Sequence, residues 1–125
     1  MEWATGRMTS QAHVLVRIMT DEGVEGIAEA IPRENIYGEA QVGMVHVIND
    51  LLAPLVAGID PFHVEKVHEK MAFIKGNLAA KGGIDVALWD IMGKACGLPC
   101  HKLLGGYRDS IEPSRILWLT SDEAM

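Results

Sequence analysis

The sequence predicts an α+β fold, an antiparallel β-hairpin or meander followed by a three-helix bundle, and three observations predict it. Apolar residues alternate with period two from His13 to Ile31, follow helical spacing from Val42 to about residue 96, and are punctuated by Gly, Pro and Asp wherever the period changes. A chain of 125 residues that is 49% hydrophobic is long enough for one domain with its own core.

The first element is the run HVLVRIM, His13 to Met19, which breaks at Thr20-Asp21-Glu22-Gly23 and resumes from Val24 to Ile31. The two runs read as a hairpin with one face buried and Glu25 and Glu29 on the other parity. After Pro32 to Gly38 the period becomes helical. Val42, Val45, Ile48/Asn49, Leu52 and Leu55 form a stripe, Met44, Val47 and Leu51 widen it, and Gly58 ends it. Asp60-Pro61 reads as a capped restart, the Asp oxygen taking the first free amides and Pro losing no bond at the first helical position. Val64, Val67, Met71 and Ile74 face inward on this second helix, with Glu65, Lys66, Glu69 and Lys70 in solvent.

The third helix is expected from Asn77, as N-cap, to about Cys96. Ile84, Ala87, Leu88, Ile91, Met92 and Ala95 make the cleanest stripe in the chain, and Gly97-Leu98-Pro99 stops it. Asp90 and Lys94 are spaced to pair on the outside. Trp89 falls off the stripe on the side of Asp85, which predicts a second contact surface. Gly82 and Gly83 each cost roughly 1 kcal/mol inside a helix, so close approach by another backbone is expected there. A short turn at His101 to Leu104, a break at Gly105-Gly106, a strand from Ile111 to Leu119 and a helix start at Thr120 to Glu123 complete the chain as an unfinished β-α unit.

Composition excludes several functions. A net charge of -6 argues against nucleic-acid and anionic-membrane surfaces, both of which need clustered Lys and Arg. The longest apolar stretch, Leu51 to Ile59, is far short of a membrane span, and Met1-Glu2-Trp3 lacks the basic and apolar regions of a secretory signal. Two cysteines build no disulfide framework, which leaves a reducing, cytoplasmic setting as the expectation. His68-Glu69 starts H-E-x-x-H, but Ala72 holds the second ligand position, and Cys96, Cys100 and His101 lack a fourth ligand, so the two thiols read as small, partly buried residues at a helix end. There is no phosphate-binding loop and no nucleophile elbow. Glu29 and Glu39 are expected to approach each other if hairpin and first helix pack, in a solvated or hydrogen-bonded structural role rather than a catalytic one.

Whole segments say more than single residues. VLVRIMTDEGVEGIAEA (Val14 to Ala30), Tyr37-Gly38-Glu39, LLAPLVAGIDP (Leu51 to Pro61), AAKGGIDVALWDIMGKACGLPCHKLLGG (Ala79 to Gly106) and Arg108-Asp109 follow in order. Together they resemble the N-terminal capping domain of the enolase superfamily, in its mandelate racemase/muconate lactonizing enzyme branch. The most specific part is ALWD-x-x-GK-x-x-G-x-P-x-x-x-LLGG.

The resemblance implies a cap folded over the mouth of a modified (β/α) barrel, whose strands carry Mg²⁺-binding carboxylates and the bases that remove a proton α to a substrate carboxylate. It assigns residues 1–106 to the cap and 107–125 to a linker and the start of a truncated barrel. By position, Trp3 to Met8 corresponds to a first specificity loop and Ile31 to Tyr37 to a second, which implies Trp3, Thr5, Met8, Ile31 and Tyr37 as substrate-facing side chains. Trp89, Asp85, Asp90 and Lys94 then read as architecture joining cap and barrel. Family members usually open with one more strand, and carry a K-x-K base motif and further β-α units, none of which this sequence contains.

The expected function is therefore the capping part of a Mg²⁺-dependent racemase/epimerase, cycloisomerase or dehydratase acting on a small carboxylate such as an acid sugar or amino acid derivative. The isolated chain is expected to be inactive, to contain no catalytic or metal-binding residue of its own, and to depend on the missing barrel as its partner. The alternative is a self-standing binding or oligomerisation module with the same fold. In that case the apolar surface around Trp89, Leu103, Leu104 and residues 111–119 is covered by a partner or a second copy.

Overall fold

The computed structural model describes residues 10–114 and the backbone of 2–3 and 6–7. Two short strands, β1 (Glu2–Trp3) and β2 (Gly6–Arg7), pair antiparallel, with Trp3 opposite Gly6. The predicted hairpin follows as β3 (Val14–Met19) and β4 (Glu25–Ala30), in the register Val14↔Ala30 to Met19↔Glu25. Its turn closes with the Thr20 N–H donating to the Val24 carbonyl at 3.0 Å. Val16, Gly26, Ala28 and Ala30 are buried on the inner face, and Leu15, Arg17 and Met19 are exposed on the outer.

The inner face of β4 carries only small residues because the long helix α5 (Leu78–Cys96) lies directly on it. A Cβ on Gly26 would sit 2.1 Å from the Ala87 carbonyl oxygen, and one on Gly83 would sit 3.0 Å from side-chain atoms of both Val16 and Ala30. Close approach was expected at Gly82 and Gly83. It holds at Gly83, against side chains, whereas Gly82 faces open space and the tight contact with backbone belongs to the strand glycine.

The first predicted helix is three segments in succession: α2 (Gln41–His46), a π-helix (Val47–Leu52) and α3 (Ala53–Val56). Pro54 has no N–H for the carbonyl four residues back, and the wide turns run up to it, a usual cause of such departures. The buried positions accordingly repeat every four residues: Ile48 and Leu52 are buried as the stripe predicts, but Met44 takes the place expected of Val42, which is 82% exposed. A one-turn helix, α1 (Glu34–Tyr37), occupies part of the stretch expected as the second loop.

Asp60-Pro61 forms a turn and not a helix start: Asp60 Oδ1 accepts the Phe62 N–H at 2.9 Å, and α4 (Val64–Met71) begins at Val64. The core joins Met44, Ile48 and Leu52 to Val67 and Met71 of α4 and to Ile84, Ala87, Leu88 and Ile91 of α5. Ala95, expected on that stripe, is exposed. After Gly97 the short helix α6 (Cys100–Leu103) matches the expected turn. Of the expected strand, residues 111–114 have no regular structure and Ile111 is exposed, while 115–119 and the helix start at 120–123 lie outside the described residues.

Candidate functional site

The loop from Ile31 to Ala40 is closed on itself. Ile31 leaves β4 half-buried, and Tyr37 N–H donates to the Arg33 carbonyl at 2.7 Å and Gly38 N–H to Glu34 at 3.1 Å, making the single turn of α1. Gly38 then reverses the chain at φ 71°, a conformation costly for residues with a Cβ, and Arg33 pairs with Glu39 in an isolated bridge. Gln11 ties the loop to the segment leading from β2, its amide donating to the Pro32 carbonyl at 2.9 Å.

Glu39 fixes the far end. Its two carboxylate oxygens accept the N–H groups of Ala79 (2.9 Å) and Ala80 (3.1 Å), the free amides at the start of α5. An anion there satisfies donors that have no partner within the helix and meets the positive end of its dipole. Glu39 is the one charged side chain buried among the described residues. Asn77, expected as the cap, has φ 53° and turns its amide to the Lys75 carbonyl, so the cap comes from Glu39, 40 positions upstream of Ala79. Glu29 pairs instead with His13 at 3.2 Å, so the two glutamates serve separate partners.

The result is a fixed loop that presents Ile36 and Tyr37, 50% and 62% exposed, to solvent. A phenol offers a donor-acceptor tip and an aromatic face, which suits it to recognition. Of the five residues expected to face substrate, Ile31 and Tyr37 share this loop. Trp3 is placed by its backbone alone, in β1, and Thr5 and Met8 lie outside the described residues.

Elsewhere the polar groups join elements. Asp90 accepts the Ile27 N–H of β4 at 2.9 Å and pairs with Lys94 at 2.6 Å, and these hydrogen bonds, Lys94 first, hold its carboxyl below the ordinary carboxylate range. The hydrogen bond and charge of Glu25 raise the pKa of the Arg17 guanidinium. His68 Nε2 lies 2.7 Å from Asp85 Oδ1, joining α4 to α5; its place in the failed metal motif gave no sign of this. Cys96 is exposed, where a partly buried thiol was expected, and the half-buried Cys100 donates through Sγ to the Trp89 carbonyl. Trp89 is half-buried beside Phe62 and Val64, away from the core stripe, and Leu78 and Val86 of α5 are exposed.

Among the described residues no three His, Cys, Asp or Glu side chains gather where they could hold a metal ion. The donor set of the described residues does not fit Mg²⁺. No described helix is long and apolar enough to cross a membrane.

The chain is 32% identical over 122 residues to an N-succinyl-L-Arg/Lys racemase of Bacillus cereus, covering 96% of this chain and 33% of that protein. It is 41% identical over 109 residues to muconate cycloisomerase 1 of Pseudomonas putida, covering 84% and 29%. Among solved structures, a dipeptide epimerase from Enterococcus faecalis complexed with Mg and the dipeptide L-Leu-L-Tyr superposes with a TM-score of 0.78 at 38% identity, over 85% of this chain and 30% of that one. The chain thus spans about a third of the length of the curated relatives it matches, which include epimerases, cycloisomerases and a dehydratase. Residues 1–105 match the N-terminal domain of the mandelate racemase / muconate lactonizing enzymes, and the chain belongs to that family.

Proposed function

We propose that residues 1–106 act as the substrate cap of a Mg²⁺-dependent enolase-superfamily enzyme, a racemase/epimerase, cycloisomerase or dehydratase that takes the α-proton of a small carboxylate in the cytoplasm. The observation that carries this reading is the loop 31–40, locked to α5 through Glu39 and presenting Tyr37. Tyr37 and Ile31, with Trp3, Thr5 and Met8 from the first loop, bind and orient the part of the substrate away from the reacting carbon and keep water from it. Metal and base are assigned to a barrel that residues 107–125 lead into, since the described residues offer no site for the ion. The second side of α5, with Leu78, Val86 and Trp89, is the seam against that barrel.

Two measurements test the reading. The 125-residue chain, incubated with Mg²⁺ and a panel of dipeptides, N-succinyl amino acids and muconate in D₂O, is expected to show no α-proton exchange above a heat-killed control. Residues 1–106, exchanged for the matching segment of the Enterococcus dipeptide epimerase, are expected to give an active chimera in which Tyr37→Ala raises KM about tenfold with kcat little changed. Exchange by the chain alone, or a KM indifferent to Tyr37→Ala, overturns it. The exposed Leu78, Val86 and Leu104 favour a second reading, a self-standing binding or oligomerisation module. A stable monomer in size-exclusion chromatography argues against it.

A further inference from the structure

The ladder of the hairpin stops one pair short of the loop it feeds, and a side chain bridges the gap. Thr20 N–H bonds the Val24 carbonyl, so by alternation the hydrogen-bonded pairs recur at Ile18/Gly26, Val16/Ala28 and Val14/Ala30, and the next would join Ala12 to Pro32. Pro32 has no N–H to give, and the ladder ends at Ala30. The half-buried Gln11 reaches across instead, its side-chain amide donating to the Pro32 carbonyl at 2.9 Å. Two further contacts hold the same stretch of chain. The His13 carbonyl accepts from the Gln41 side chain at 3.2 Å, and His13 Nδ1 lies 3.2 Å from Glu29 Oε2. Residues 11–13 are thus fastened to both ends of the 31–40 loop, at Pro32 near its start and at Gln41 just past its end.

The bond to Pro32 bears directly on Tyr37. The Pro32 carbonyl and the Arg33 N–H belong to one planar peptide unit, and the Arg33 carbonyl accepts the N–H groups of Ile36 (3.1 Å) and Tyr37 (2.7 Å). Gln11 therefore fixes the plane from which the turn carrying Tyr37 starts, while Glu39 holds the far end of the same turn on α5.

We propose that Gln11 is a positioning residue for substrate binding. It aims the Tyr37 side chain without touching substrate, and it does so from the segment that leads out of the first loop, so both loops meet substrate as one frame. The inference rests on the substrate-cap reading above. A loop ordered in advance binds without an ordering cost, so release of Gln11 weakens binding rather than slowing the chemistry.

Gln11→Met keeps the length of the side chain and removes its donor. In the full 125-residue chain it is expected to speed hydrogen exchange at the Ile36, Tyr37 and Gly38 amides about fivefold, read by NMR, while the ladder amides of Val16 and Ile18 keep their rates. In the chimera with the Enterococcus dipeptide epimerase it is expected to raise KM about fivefold with kcat little changed. In a Tyr37→Ala background the same change is expected to raise KM by less than about twofold, because no phenol is left to aim. Unchanged loop exchange in folded Gln11→Met overturns the proposal. So does a KM raised by Tyr37→Ala but not by Gln11→Met, or raised additively by the two, and in both cases the cap reading stands. A KM indifferent to Tyr37→Ala overturns the cap reading and this proposal with it. If Gln11→Met fails to fold, Gln11→Glu, of the same shape and without an N–H donor when ionised, takes its place. If the chimera is inactive, loop exchange in the 125-residue chain decides.

Discussion

Glu39 does the work of a helix cap from outside the helix, which sets the cost of losing it. Glu39→Ala leaves two amides at the start of α5, one buried and one part-buried, without partners, and about 1–3 kcal/mol of stability is expected to go with it in urea denaturation. Glu39→Gln keeps the shape and one acceptor and is expected to cost less. Gly26→Ala is a harsher change, because the added carbon meets the backbone of α5, which cannot rotate away; a loss of about 3 kcal/mol is expected. Asp90 sets a pH dependence. Its folded pKa lies below the unfolded value, so its contribution is present above about pH 4 and is lost as pH falls through the folded value. The stability difference between the natural chain and Asp90→Asn is therefore expected to be constant from pH 7 to about pH 5 and to shrink in more acid solution.

Two elements show how far local sequence reaches. The stripe in residues 78–96 is legible because a regular α-helix keeps one angular step per residue, so Ile84, Ala87, Leu88 and Ile91 had to share a face, and they are buried together. In residues 41–56 the step is not constant, and reading it at 100° per residue placed Val42 inside and gave Met44 a secondary role, the reverse of what is found. Pro54 was the available signal. Between α4 and α5 the His68–Asp85 pair is partly exposed, and a double-mutant cycle is expected to give a coupling under about 1 kcal/mol. On the second side of α5, Leu78→Lys with Val86→Lys is expected to leave the melting transition of the isolated chain within a few degrees while abolishing any self-association seen in size-exclusion chromatography.

For the molecule as a whole, the hairpin, the three helical regions and the family were within reach of the sequence, because period, turn residues and ordered motif segments are local or linear properties. The candidate site was legible only as a stretch of chain. That Tyr37 is displayed rather than buried, and that its loop is pinned, follow from a carboxylate meeting two amides 40 residues further on. By itself, the sequence determined the hairpin, the long helix 78–96 with the face it turns to the core, and which family the chain belongs to. Only the tertiary structure decided that Glu39 and not Asn77 caps α5 and that Gly26 meets the backbone of that helix. Each of these depends on which distant groups share a hydrogen bond or a few cubic ångströms of space, and a one-dimensional pattern holds no measure of either.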